Sequence, residues 1–156
     1  MIKVKTIFFL LLIGLFLNNC GYTPQYSKKN YENFSLEITS LSGDRDFNNY
    51  LEAKLNPYFN KEKSDIKNFK ININSIYEKN ITSKDSSGIA TEYELKVTVN
   101  SQINLDKNTK EVKIVEKFYM KKMGDSFEES NYERTIKDNF SSMIKEKLMF
   151  YLLEMQ

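Results

Sequence analysis

The chain opens on one continuous apolar run and then settles into alternation. Ile7 to Leu17 is apolar apart from Gly14. Further on, Phe34, Leu36 and Ile38 alternate with Ser35, Glu37 and Thr39, the period of two of a half-buried strand. Leu41-Ser42-Gly43-Asp44 breaks that pattern, and Asp44 stands where a helix N-cap belongs, with Asp46 in an acidic first turn. Phe47, Tyr50, Leu51, Leu55 and Tyr58 then recur at helical spacing until Pro57, which ends or kinks the helix near Asn56. Asn60 to Ser64 reads as a polar connection.

A second strand places Phe69, Ile71 and Ile73 opposite Lys70, Asn72 and Asn74 and continues to Tyr77, followed by a turn over Lys84 to Gly88. The clearest strand comes next. Tyr93, Leu95, Val97, Val99, Ile103 and Leu105 hold odd positions, while Glu92, Glu94, Lys96, Thr98, Asn100, Gln102 and Asn104 hold even ones. One face of it is core and the other meets water or a polar partner. Asp106-Lys107-Asn108-Thr109 predicts a hairpin connection. The returning strand carries Val112, Ile114, Phe118 and Met120 on its even side and a mixed odd side with Lys113, Val115, Lys117, Tyr119 and Lys121. Past Gly124-Asp125, Ser126 with Glu129 matches a capping box, and Tyr132, Ile136, Phe140, Met143, Ile144, Leu148, Tyr151 and Leu152 form one helical stripe. The order β-α-β-β-β-α predicts an α+β two-layer sandwich: a four-stranded, mostly antiparallel sheet with two helices on one face.

The N-terminal run changes the picture. It is 11 residues long, where a spanning helix needs about 20. With Lys3 and Lys5 before it, it has the layout of a signal peptide. Leu17-Asn18-Asn19-Cys20 resembles a lipobox, with Asn19 where Gly, Ala or Ser is usual. Cys20 is the one cysteine of the chain, so it has no internal disulfide partner, and acylation removes an exposed thiol from an oxidising compartment. The expected organisation is therefore a signal peptide over 1–19, a lipidated tether over 20–33 and a single α+β domain over 34–156. Extended, the tether reaches roughly 35–45 Å at about 3.3 Å per residue. Gly21, rather than Asp, after the cysteine favours the outer membrane, by likeness to other lipoproteins.

Composition narrows the chemistry. Loss of Lys3 and Lys5 with the leader leaves as many acidic as basic side chains, so the basic excess of a nucleic-acid binder is absent. The chain has no histidine, the commonest general base and metal ligand. No serine has a histidine partner, and Glu92 with Glu94, or Glu128 with Glu129, lack the turn that frames a nucleophile. The expectation is a protein that is not an enzyme and holds no cofactor or metal.

Three features carry a family resemblance. Cys20-Gly21-Tyr22-Thr23-Pro24-Gln25-Tyr26 is similar to the Cys-Gly-aromatic-x-Pro-x-Tyr start of certain lipoproteins; Thr91-Glu92-Tyr93-Glu94-Leu95 enters a long alternating strand; and the closing helix sets Ile144 and Leu148 in a stripe ending at Leu153. In these the chain resembles LptE, the LPS-assembly lipoprotein of Gram-negative outer membranes, in its alphaproteobacterial form. Such relatives often have a basic residue where Glu92 stands. The resemblance implies a two-helix, four-stranded plug inside an LptD-type β-barrel. It implies a role in delivering lipopolysaccharide to the outer leaflet, without a reaction, from an anchor on the periplasmic side of the outer membrane. The polar even face of residues 92–104 suits a polar barrel lumen. Lys110, Lys113, Lys117, Lys121 and Lys122 are the candidate group facing LPS phosphates. Lysines that merely deter pairing at a strand edge are the competing explanation of the same residues. The rival function is another small lipoprotein adaptor, such as an auxiliary subunit of a lipid transporter or secretion complex.

Overall fold

The computed structural model describes residues 34–59 and 66–156. The expected signal peptide, Cys20, the expected tether and the Asn60 to Ser64 connection lie outside the described residues. The element order is β1 (Phe34–Gly43), α1 (Arg45–Leu55) with a short 3-10 turn (Asn56–Tyr58), β2 (Lys67–Lys84), β3 (Ala90–Leu105), β4 (Asn108–Lys121) and α2 (Ser126–Glu154). The four strands lie side by side in chain order. β1 runs parallel to β2, with α1 in the crossover that parallel strands require. The β2–β3 and β3–β4 pairs are antiparallel. This is the α+β sandwich that the apolar periodicity predicts.

β1 is longer than its alternation suggests. Between Ile38 and Ser40 the register slips by one residue, so that Ile38 faces Ile71 and Leu41 faces Ile73. The extra residue, Thr39, switches the parity of the strand, and Leu41 therefore stays on the core side with Ile38. The strand then closes on Gly43, with φ +101°, where an added Cβ would stand 1.8 Å from the Ser75 carbonyl oxygen. That contact lets the Asp44 amide donate to the Ser75 carbonyl at 3.2 Å. One residue on, the Asp44 carboxylate accepts from the Phe47 amide at 2.8 Å and opens α1, the predicted cap. Pro57 sits in the 3-10 turn directly after α1, as expected.

The core lies between the sheet and both helices. β3 buries Leu95, Val97, Val99, Ser101, Ile103 and Leu105 on one side, and α2 lays Ile136, Phe140, Ile144, Leu148 and Leu152 over that face. At roughly 1.5–3 kcal/mol for each fully buried large apolar side chain, the α2 stripe alone contributes on the order of 10 kcal/mol of gross burial. The hairpin between β3 and β4 is tighter than predicted. Leu105 pairs with Asn108, leaving only Asp106 and Lys107 in the turn, with Asp106 at φ +53°, a conformation aspartate tolerates better than most residues. The capping box at Ser126 is corrected by one position. Asp125 is the N-cap and accepts from the Phe127 and Glu128 amides, while Glu129 reaches back to the Met123 amide instead. Phe118, Tyr132 and Met143, expected on the apolar sides of β4 and α2, are only half-buried, with Phe118 and Tyr132 in edge-to-face contact at a ring-centroid distance of 6.2 Å.

Gly43→Ala should destabilise the protein by at least about 2 kcal/mol, combining a disfavoured φ with a backbone collision. Gly88→Ala has open space around it despite φ +80° and should cost only about 1 kcal/mol. Urea unfolding of the two variants checks the difference, and equal losses would show that the Gly43–Ser75 approach is relaxed by other means.

Candidate interaction surfaces

The side of the sheet away from the helices is a ladder of cross-strand rows. Asn72, Gln102 and Glu111 form one row; Asn74, Asn100 and Lys113 form the next; then come Ile76, Thr98 and Val115; then Glu78, Lys96 and Lys117; then Asn80, Glu94 and Tyr119. The amide end holds an open groove of ≈ 420 Å³ lined by Ser40, Ser42, Asn74, Asn100, Gln102 and Lys113, among others. Its side chains bond to one another: Asn72 donates to Gln102 at 3.0 Å and Asn74 to the Ser42 hydroxyl at 2.9 Å, while the neighbouring Thr39 hydroxyl donates to the Asn72 side-chain oxygen Oδ1. Ile76 and Val115 form a narrow apolar bar beyond it, both partly exposed. At the charged end, Lys96 pairs with Glu78 at 2.7 Å and Lys117 with Glu94 at 2.8 Å, and the Tyr119 hydroxyl donates to the same Glu94 oxygen at 3.0 Å. The hydrogen bond from Lys117, then that from Tyr119, holds the Glu94 carboxyl below its ordinary range, and Glu94 in turn raises the Lys117 ammonium.

The five lysines singled out from the sequence do not form one surface. Lys113, Lys117 and Lys121 stand on this outer face, facing Asn100, Lys96 and Glu92. Lys110 faces Ile103 on the helix side, where it pairs with Glu154 at 2.7 Å and lies over the Tyr151 ring. Lys122 follows the end of β4, its amide donating to the Thr91 carbonyl at 2.8 Å. Among the described residues, Lys113, Lys121 and Lys122 make no ion pair. The parity of the residue numbers separates Lys110 from Lys113, Lys117 and Lys121, a signal the strand periodicity already contains.

On the helix side, β2 and α2 are joined by a polar seam. Lys79 bridges Glu129 at 2.8 Å and Glu133 at 2.9 Å. The Tyr77 hydroxyl donates to Glu133 at 2.9 Å. Lys137, almost wholly buried, lies 4.1 Å over the Tyr77 ring and within 3.8 Å of Asp44. Burial, then the bond to Glu133, pushes the Tyr77 phenol far above its usual range. The Lys79 hydrogen bond holds the Glu129 carboxyl below the ordinary carboxylate range. Lys79 itself is raised: burial opposes its charge, and the bonds to Glu129 and Glu133 outweigh that cost.

Toward one end of the sheet three large apolar side chains are exposed among charged ones. Here the β2–β3 hairpin, the end of β4 and the start of α2 meet, as the Lys122–Thr91 and Lys79–Glu129 bonds record. Ile81 and Ile89 are 53% and 54% exposed and Phe127 72%. None of these three stands out in the apolar periodicity of the strands. Phe127 was detectable, because nine residues at about 100° each place it opposite Ile136 and so opposite the buried stripe. Among the described residues there is no cluster of potential metal ligands, and no helix is long and apolar enough to cross a membrane.

No protein-family model and no curated protein matches the chain. Its fold does have counterparts among solved structures. It is similar to the rare lipoprotein B of Shewanella oneidensis with a TM-score of 0.56 and 14% identity, over 78% of this chain and 98% of that one. It is similar to a lipoprotein of Caulobacter crescentus CB15 with a TM-score of 0.50 and 11% identity, over 81% and 92% of the two chains. At such identities the shared property is the fold.

Lys79→Met leaves Glu129 and Glu133 side by side without their cation, and should cost about 1 kcal/mol at pH 7. The Glu129 contribution exists above the ordinary carboxylate range and disappears as pH falls through its depressed value. The Lys79 contribution holds up to the ordinary lysine range and is lost at still higher pH. The gap in melting temperature between the variant and the parent should therefore narrow between pH 7 and pH 3, and a gap that is constant over that interval would show the seam to be electrostatically idle.

Proposed function

We propose that the protein is an LptE-like outer-membrane lipoprotein, anchored by acyl chains on Cys20, that serves as plug and assembly partner of an LptD-type β-barrel in lipopolysaccharide transport. It does so without catalysing a reaction. The observation that carries the reading is the fold, which extends over nearly the whole of a solved rare lipoprotein B. The Leu17-Asn18-Asn19-Cys20 sequence ahead of that fold supports the anchor. The amide-lined outer face supports the role of a plug, since a barrel lumen is polar and wet. In this reading the lysines that meet lipopolysaccharide are Lys113, Lys117 and Lys121, with Lys122 at the strand end, while Lys110 is engaged on the helix side. The exposed Ile81, Ile89 and Phe127 offer an apolar counterpart for acyl chains at the neighbouring end.

Affinity purification of the tagged chain from outer membranes should bring down a large β-barrel, and Cys20→Ala should abolish both N-terminal processing and membrane attachment. Recovery of an inner-membrane transporter instead would favour the adaptor reading. Lys117→Glu combined with Lys121→Glu should weaken binding to lipopolysaccharide about tenfold, two phosphate contacts being lost and reversed. Unchanged binding would return these lysines to the plain role of guarding a strand edge.

A further inference from the structure

The two edges of the sheet are finished differently. The β1 edge carries the bulge at Thr39 and is partly covered by Phe59, which bridges to Leu36. β4 pairs with β3 through 14 successive positions without a bulge, contains no proline, and has no further strand beside it among the described residues. A two-residue hairpin makes Leu105 and Asn108 a hydrogen-bonded pair, so the even residues of β4 bond to β3. The Lys122 amide on the Thr91 carbonyl keeps that parity at the far end. The backbone N–H and C=O groups of the odd residues, from Thr109 to Lys121, therefore point away from the sheet and are unpaired by it.

The flanks of that edge are shaped as well. Tyr132, Met143 and Phe150 recur at intervals of 11 and 7 residues on α2, which is one line along the helix. All three are about 40% exposed. Tyr132 touches Phe118 of β4, and Phe150 lines, with Val115, Lys113 and Lys147, a groove of ≈ 280 Å³ between the strand and α2, where Lys147 pairs with Glu116 of β4 and interrupts the apolar line. On the outer flank stand Lys113 and Lys121, which make no ion pair, and Lys117.

We propose that β4 is a docking edge for an extended acidic polypeptide segment, added to the sheet as a fifth strand. Backbone pairing supplies the attraction. Apolar side chains at alternate positions of the incoming strand lie over Phe118, Met143 and Phe150, and acidic ones at the intervening positions meet Lys113 and Lys121. Charge selects the occupant. The outer flank of β4 carries three lysines against the one glutamate Glu111, so pairing with a second copy of the same strand would crowd like charges. The inference stands on this edge alone and holds whether or not a barrel is the partner.

The test uses the full chain and a ten-residue peptide of alternating valine and glutamate, with an alternating valine–lysine peptide as control. The acidic peptide should slow amide exchange at Lys113, Val115 and Lys117, and the basic one should not. Lys113→Glu with Lys121→Glu should weaken binding of the acidic peptide about tenfold. Val115→Pro removes an outward N–H without breaking a bond to β3, and should abolish binding while leaving the fold intact. Equal binding of both peptides, protection away from β4, or unchanged binding by the folded proline variant would overturn the proposal. Protection of β4 that rises with protein concentration in the absence of peptide would also overturn it, assigning the edge to a second copy of the chain. If the proline variant fails to fold, the charge-reversal pair and the exchange map still decide.

Discussion

The structure depends on a single contact between layers: the stripe Ile136–Phe140–Ile144–Leu148–Leu152 of α2 lying across the odd positions of β3. A strand has two faces and a helix one stripe, so this contact commits one side of the sheet to dryness and leaves the other to solvent or to a partner. α2 is 29 residues long, and one element therefore covers most of the hairpin strands. It stops short of the hairpin tip, which leaves Ile81 and Ile89 uncovered, and its outermost line runs beside β4 rather than over it, which leaves Tyr132, Met143 and Phe150 half exposed. Both surfaces proposed for function are what this packing leaves unfinished.

Apolar packing alone does not fix where a long helix sits along a sheet, because a stripe of similar side chains can slide by a turn. The polar seam does. Lys79 reaches two carboxylates one helical turn apart on α2, the Tyr77 hydroxyl donates to one of them, and Lys137 points back to the Asp44 that caps α1. Sliding α2 by a turn would strand Lys137 without its carboxylates in a buried position, a cost well above that of any exposed pair. Asp44 in turn is held by the hydrogen bond its amide donates to the Ser75 carbonyl, which the bare Gly43 makes geometrically possible. The cap of α1, the end of β1 and the seat of α2 are thus one coupled arrangement around β2.

What was legible in the sequence follows from the range of the interactions involved. The alternation of β3 and the stripe of α2 are local patterns set by one buried face each, and both appear in the structure, the stripe at Ile136, Phe140, Ile144, Leu148 and Leu152. The Asp44 cap is likewise decided within four residues. The parity switch at Thr39 is not, because only the pairing with Ile71 and Ile73 shows that Leu41 rather than Ser40 belongs inside. Phe118 and Tyr132 look like core in a linear pattern, and their partial exposure depends on where the helix edge falls across β4. At the start of α2, two acceptors compete within five residues, and Glu129 is taken by Lys79 and the Met123 amide, leaving the cap to Asp125. The five candidate lysines divide between two faces for a simpler reason. Neighbours in sequence alternate between the two sides of a strand, and Lys110 has the parity of the core residues Val112 and Ile114.

The outer face bears on the proposed role through the kind of polarity it has. Its amide and hydroxyl groups bond largely to each other, Asn72 to Gln102 and Asn74 to Ser42, and its charges are mostly paired in rows, Lys96 with Glu78 and Lys117 with Glu94. Such a surface loses little when bulk water is exchanged for a wet, polar enclosure, since few of its groups need new partners there. It gains little from a dry apolar interface, where its amides would be desolvated without return. The face therefore favours a hydrated surrounding over tight docking, and specific attachment has to come from elsewhere on the molecule. The free edge of β4 adds what the face lacks: unpaired backbone groups, with half-exposed Tyr132, Met143 and Phe150 on the helix flank and Lys113 and Lys121, which make no ion pair, on the outer one. Under the plug proposal the outer face meets a wet enclosure, while the β4 edge is where a defined segment is gripped.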